Sequence, residues 1–129
     1  MPISLTPDAQ TFVTDRHLAT LSTLAADGSI HAVAVGFTVV DGIARVITRG
    51  GSQKVRNILN RGHATICQVD GPRWITFVGM GRVLSDADSV KEAVDLYAMR
   101  YRQPAVNPER VAILIDITKV MGSTGMVQR

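Results

Sequence analysis

The sequence is poor in cysteine, in aromatic rings and in long apolar runs, and each shortage excludes something. One cysteine, Cys67, rules out an internal disulfide and fits a reducing compartment. It lies in an apolar, strand-like run over residues 64–69, where a buried structural thiol is expected rather than a nucleophile. Phe, Trp and Tyr make up 5% of the 129 residues, so the core must rest on Val, Ile, Leu and Ala. No apolar run is long enough to cross a bilayer. The start, Met1-Pro2-Ile3-Ser4, lacks the basic residues and apolar stretch of a signal peptide. Together these absences point to a cytoplasmic protein.

Several chemical signatures are missing too. His17, His31 and His63 are not spaced as metal ligands and read as surface or barrel-rim residues. Asp41, Asp70 and Asp86 all occupy turn or cap positions, so no carboxylate pair stands out. There is no GxxxxGKS/T motif, and Gly79-Met80-Gly81 lacks the strand–turn–helix setting of a dinucleotide fingerprint. Basic residues are not interleaved with aromatics along one strand face, which argues against a single-strand nucleic-acid module. No residue can be assigned a nucleophilic or acid–base role from the sequence.

What is present is a globular composition, 46% hydrophobic and 19% charged, in a length that fits one domain over residues 1–129. The formal net charge of +3 suits an anionic ligand. Thr6-Pro7-Asp8 predicts a helix start, running to about Asp15. Strands are expected over 18–24, 30–40 and 43–48, joined by the tight turns at Asp27-Gly28 and Asp41-Gly42. A short amphipathic helix follows over 52–61, with Val55, Ile58 and Leu59 at helical spacing. Two more strands, 64–69 and 74–84, flank the Asp70-Gly71-Pro72 turn, and Gly79 and Gly81 predict a bulge or bend. Ser85-Asp86-Ala87-Asp88 caps a long helix to about Tyr101, with Val90, Ala93, Val94, Tyr97 and Tyr101 as its inner stripe. A last apolar strand spans 111–117, expected at an open edge that a second copy covers. Six antiparallel strands with three helices between hairpins predict an α+β, partly open barrel with flanking helices, not a doubly wound sheet.

One junction carries chemistry. Thr48-Arg49-Gly50-Gly51-Ser52-Gln53-Lys54 runs from strand into helix, where unpartnered N–H groups and the aligned peptide dipoles make the helix start positive. Lys54 and Arg56 add cations in the first turns, where they oppose the dipole unless an anion faces them. A phosphate site explains the arrangement; a glycine-rich turn followed by a helix with solvated Lys and Arg explains it equally.

Thr48 with Lys54 in a Ser-Gln-Lys step resembles the phosphate-binding segment of the FMN-binding split-barrel family, which includes the pyridoxamine 5'-phosphate oxidases. His31-Ala32-Val33-Ala34-Val35-Gly36 falls where that family lays backbone along the isoalloxazine ring. The oxidases' basic residues on that strand are replaced here by His31 and Gly36, and their C-terminal substrate-binding Trp and Arg are absent, which argues against vitamin B6 oxidation. Arg16-His17-Leu18-Ala19, the VAVGF string ending at Phe37, GGSQK over 50–54, CQVDG over 67–71, Arg73-Trp74, Arg100-Tyr101-Arg102 and Asn107-Pro108 are similar as a set to the F420-dependent biliverdin reductases of actinobacteria. These are flavin/deazaflavin oxidoreductases.

That resemblance implies a split β-barrel, a cytoplasmic homodimer with two interfacial cofactor sites, coenzyme F420 as hydride carrier and a linear tetrapyrrole as acceptor. FMN is the alternative cofactor, and a non-catalytic F420 carrier the alternative role. The cofactor is expected against Val33, Ala34, Val35, Gly36, Thr48, Arg49, Gly50, Gly51, Ser52, Gln53, Lys54 and Trp74, although a lone Trp74 suits the core equally. Arg100 and Arg102, near the end of the third helix, read as a basic handle for an acidic acceptor or as a solvated helix end.

Overall fold

Local signals set most element boundaries. The computed structural model describes residues 4–127; the Met1–Ile3 start lies outside them. In chain order the elements are α1 (Pro7–Thr14), β1 (Ala19–Leu24), β2 (Ile30–Val35), β3 (Thr38–Val40), β4 (Ile43–Arg49), α2 (Gln53–Arg61), β5 (His63–Asp70), β6 (Arg73–Leu84), α3 (Ala87–Arg100) and β7 (Arg110–Gly122). Thr6 caps α1, its hydroxyl oxygen accepting the Ala9 N–H at 3.0 Å. Asp86 caps α3 through the Ser89 N–H, also at 3.0 Å. None of the described helices is long and apolar enough to cross a membrane.

The sheet has seven strands rather than the six expected, all paired antiparallel in the order β2-β1-β5-β6-β7-β4-β3. The difference lies in the run 30–40, which is two strands. β2 pairs with β1 at one end of the order, and β3 pairs with β4 at the other. Consecutive in sequence, they stand at opposite edges, so the short step through Gly36 and Phe37 carries the chain from one edge to the other. The sheet curls into a barrel joined there by covalent chain instead of by a ladder.

Side chains explain why the strand breaks at that step. The Phe37 N–H donates to the Tyr101 hydroxyl at 3.1 Å, and its carbonyl accepts from Arg100 Nη1 at 2.6 Å. The Tyr101 hydroxyl in turn donates to the His17 carbonyl at 2.6 Å. Backbone groups that a continuing strand would offer to a neighbour are thus satisfied by the end of α3. Gly36 belongs to the same contact, because a Cβ there would stand 2.9 Å from the Tyr97 ring and 3.1 Å from the Tyr101 ring. Only glycine lets both rings come this close.

The barrel interior is filled by Phe12, Leu21, Phe37, Ile66, Ile75, Phe77, Ile113 and Ile115, all fully buried. Each such side chain contributes about 1.5–3 kcal/mol through removal from water. β7 is apolar on both faces for a structural reason. Val111, Ile113, Ile115 and Ile117 point into the barrel, while Ala112 and Leu114 pack under Ala93 of α3. This corrects the expectation of an open edge over 111–117. β7 is an inner strand between β6 and β4, and the free edges belong to β2 and β3.

The bend foreseen at Gly79 is a register shift between Val78 and Gly79, and a Cβ at Gly79 would run into the Asp116 carbonyl. Cys67 is partly rather than fully buried. On β5 the inward positions are Ala64, Ile66 and Gln68, and strand alternation turns Cys67 to the other face.

Arg100→Ala should lower unfolding free energy by about 3 kcal/mol, because it strips charged donors from buried acceptors. Arg102→Ala, two residues on and exposed, should change it by less than about 0.5 kcal/mol. Urea titrations of both variants check the contrast, and equal losses would contradict the assignment of Arg100 to barrel closure.

Candidate cofactor and acceptor site

Barrel closure brings the end of β2 beside the end of β4, although the two strands are far apart in the sheet. Between them lies a cavity of about 310 Å³. Its walls are Ala34, Val35 and Gly36 from β2, Ile47, Thr48 and Arg49 from β4, Tyr97 from α3, and Pro104, Asn107 and Arg110 from the segment entering β7. Five residues singled out from the sequence, Ala34, Val35, Gly36, Thr48 and Arg49, therefore share one cavity. Val33 packs against the barrel core instead.

The segment Gly50 to Lys54 continues from this wall into the first turn of α2. The Gly50 N–H donates to the Glu109 carbonyl at 2.9 Å, which ties the glycine turn to the cavity's third wall. Ser52 occupies the N-cap position of α2 but makes no side-chain cap bond; its hydroxyl lies 3.4 Å from that of Thr48. Around Gly51 there is open space. Gln53 turns to Asn57 at 2.7 Å, and Asn57 reaches Thr23 of β1 at 3.0 Å, so this side of the helix is anchored to the barrel. Arg56 folds back on the Gly51 carbonyl at 2.8 Å.

Positive charge gathers here without compensation. Among the described residues, Arg49, Lys54 and Arg56 take part in no ion pair, and the first turn of α2 contains no acid. Partial burial pushes the Lys54 ammonium below its usual range, and the neighbouring Arg49 pushes the same way. Uncompensated cations at a helix start with unpartnered N–H groups form an anion cradle.

A second cavity, of about 350 Å³, is lined by Arg16, His17, Leu18, Tyr97, Tyr101 and Arg102. Tyr97 lines both cavities. Its ring lies 4.7 Å from that of Tyr101, with planes 31° apart.

Two sequence-based placements differ from the structure. Arg100 was expected to meet the acceptor, but its guanidinium turns inward. Nε donates to the Asp15 carbonyl at 2.9 Å, Nη1 to Phe37, and Nη2 to Gln68 Oε1 at 2.6 Å. It also stacks on the Phe37 ring at 4.7 Å, and burial pulls its pKa down from the guanidinium value. Arg100 serves the fold. Trp74 sits near the start of β6, opposite Val69, with its N–H bonded to Ser123 Oγ at 3.0 Å. The cavity's Ile47 pairs with Ala112 of β7, which in turn pairs with Leu84 at the other end of β6. Trp74 therefore stands at the opposite end of β6 from the cavity.

Tyr97, Pro104, Asn107 and Arg110 were not assigned to a site from sequence. Tyr97 registered only as part of a buried stripe, and Asn107-Pro108 only as part of a resemblance. Arg110 gave no signal, since its place depends on the pairing of β7 with β4.

Lys54 gives a prediction with a definite sign. Its pKa is lower in the folded than in the unfolded chain. Between those values the unfolded state binds more protons, so stability rises with pH there. Lys54→Met keeps the apolar stem and removes the charge. It should therefore melt at or above wild type at pH 7, with the gap closing towards pH ~10, near the ordinary lysine value. Thermal melts at both pH values check this, and a variant melting lower at pH 7 would contradict it.

Comparison with known proteins identifies the family. The family model described as pyridoxamine 5'-phosphate oxidase matches residues 5–123. The chain is 50% identical over 127 residues to an F420H(2)-dependent biliverdin reductase of Mycobacterium tuberculosis (strain CDC 1551 / Oshkosh), covering 97% of this chain and 93% of that protein. A conserved hypothetical protein of Mycobacterium tuberculosis shares the fold at a TM-score of 0.81 and 20% identity, over 94% of this chain and 85% of the other. So does an F420 reductase, at a TM-score of 0.73 and 19% identity, over 87% and 94%. With a family match that spans both walls of the cradle, the chain belongs to the pyridoxamine 5'-phosphate oxidase family.

Proposed function

We propose that this protein is a cytoplasmic, F420-dependent oxidoreductase that reduces a conjugated acceptor of the biliverdin type. The observation that carries this reading is the 50% identity, over 97% of the chain, to an F420H(2)-dependent biliverdin reductase. The geometry supports it. F420 has a phosphodiester and an acidic polyglutamate tail, and the residues present suit such a group. Arg49 and Lys54 stand free of carboxylates, Ser52 leaves the start of α2 uncapped, and Gly51 leaves room for close approach.

When bound, reduced F420 supplies a hydride. The protein's part is to hold donor and acceptor in contact and to keep water away. Arg49 and Lys54 would hold the acidic tail through charge-assisted hydrogen bonds, with the α2 backbone N–H groups behind them. The end of β2, from Ala34 to Gly36, presents backbone and small side chains, so a flat ring can lie against it. Arg49 and Arg110 bring positive potential to the cavity, which favours an acceptor that gains electrons.

The functional unit in this reading is a homodimer. β2 is a free edge strand, and Leu18, Ile30, Val69 and Trp74 are exposed apolar side chains. A second copy covers such surface, and it is the source of any Trp74 that packs beside the cradle.

Fluorescence-quenching titrations should find tight F420 binding and weak or absent FMN binding, and Lys54→Ala should weaken F420 by about 1.5–3 kcal/mol. Oxidation of reduced F420 should proceed with biliverdin and without NADPH. Tighter FMN binding overturns the cofactor; F420 binding without turnover of any acceptor favours a carrier. Sedimentation should give a dimer, and a 13.9 kDa species with cofactor bound would exclude one.

A further inference from the structure

Among the described residues, Arg16 and Arg102 have no hydrogen-bond or ion-pair role in the fold. Arg16 lies between α1 and β1, and Arg102 follows α3. They belong to separate segments, yet both line the 350 Å³ cavity next to the cradle. Both are exposed, and neither joins an ion pair among the described residues. Their neighbours differ. Arg73 is paired with Asp70 at 2.8 Å, and Arg100 is committed to the Asp15 and Phe37 carbonyls and the Gln68 side chain. No carboxylate lines this cavity, and its remaining charge-bearing side chain, His17, lies 3.6 Å from Asp70.

We infer that this second cavity is the acceptor's carboxylate subsite, with Arg16 and Arg102 as its specificity-determining residues. The inference rests on the redox reading above and assigns to it the feature by which the acceptor is chosen. Tyr97 and Tyr101 form an aromatic wall, and Tyr97 continues into the first cavity. A planar conjugated molecule that lies along these rings reaches from one cavity into the other. The two carboxylate arms on the middle rings of a linear tetrapyrrole, directed to one side of it, then meet two guanidinium forks, whose donors match carboxylate oxygens in bidentate fashion.

The backbone holds the second fork in place. Tyr101, at the C-cap of α3, donates its N–H to the Tyr97 carbonyl at 2.9 Å and is fixed by its hydroxyl to His17. Arg102 therefore starts from a rigid residue. An acceptor of equal ring area without acid groups loses these contacts and leaves the cavity's positive charge unbalanced.

The test compares biliverdin with its dimethyl ester, which keeps the conjugated system and removes both charges. Wild type, Arg16→Ala and Arg102→Ala are each measured for F420 affinity, for KM and kcat with each acceptor, and for acceptor binding at equilibrium by the absorbance shift without turnover. The expected result is a rise in KM and in equilibrium Kd for biliverdin of about tenfold or more per variant, the worth of a charge-assisted contact. The ester should bind wild type weakly and both variants equally, and F420 affinity should stay the same. Equal losses for biliverdin and ester, or no loss for either, overturn the subsite. If no acceptor is turned over, selective weakening of biliverdin binding still upholds the subsite while the redox reading falls.

Discussion

The Phe37 backbone is the point at which this barrel is held shut, and its partners come from the end of a helix. Arg100 and Tyr101 satisfy its carbonyl and N–H, and they reach on to Asp15, His17 and Gln68. Every other join in the barrel wall is a ladder of backbone hydrogen bonds that spreads its load over many residues. This one is concentrated in two side chains. A guanidinium suits the task because its donors diverge in one plane and meet three acceptors from different parts of the chain.

The same arrangement decides where a ligand can bind. A continuous ladder at the step from β2 to β3 would fill the gap with backbone. Closure by side chains instead leaves hollows on either side of Tyr97, one walled by β2 and β4 and the other by Arg16, His17 and Arg102. Gly36 is shared by structure and site. Its missing side chain admits the two tyrosine rings and also lines the first hollow.

Much of the fold could be read from local chemistry. Hydroxyl and carboxylate caps, Asp-Gly turns and the glycine bulge in β6 act within a few residues, and each was visible in the sequence. The break at Gly36-Phe37 was not. Residues 30–40 are apolar and strand-forming throughout, and the partners that divide them lie more than sixty positions away, at Arg100 and Tyr101. For the same reason an apolar β7 gave no hint of being an inner strand, since apolarity reports burial of faces and not pairing of edges. The anion cradle was legible because a helix start, its glycines and its cations are contiguous over Thr48–Lys54. The hollow beside Arg102 was only partly so, because Arg100 and Arg102 look alike in sequence and differ in direction.

The place of β7 has a consequence for how the molecule comes into being on the ribosome. β4 pairs with β7 from Ile43↔Asp116 to Arg49↔Arg110, and β6 pairs with β7 along its other side. Until the last strand has been synthesised, the β3–β4 hairpin has no ladder linking it to the rest of the sheet. A nascent chain can assemble the β1–β2 and β5–β6 hairpins early, because their contacts are local. The cavity between β2 and β4 is different: its walls come from both halves of the sheet, so it takes shape only after β7 has been made. Before β7 is made, the emerging chain therefore lacks the hollow between β2 and β4.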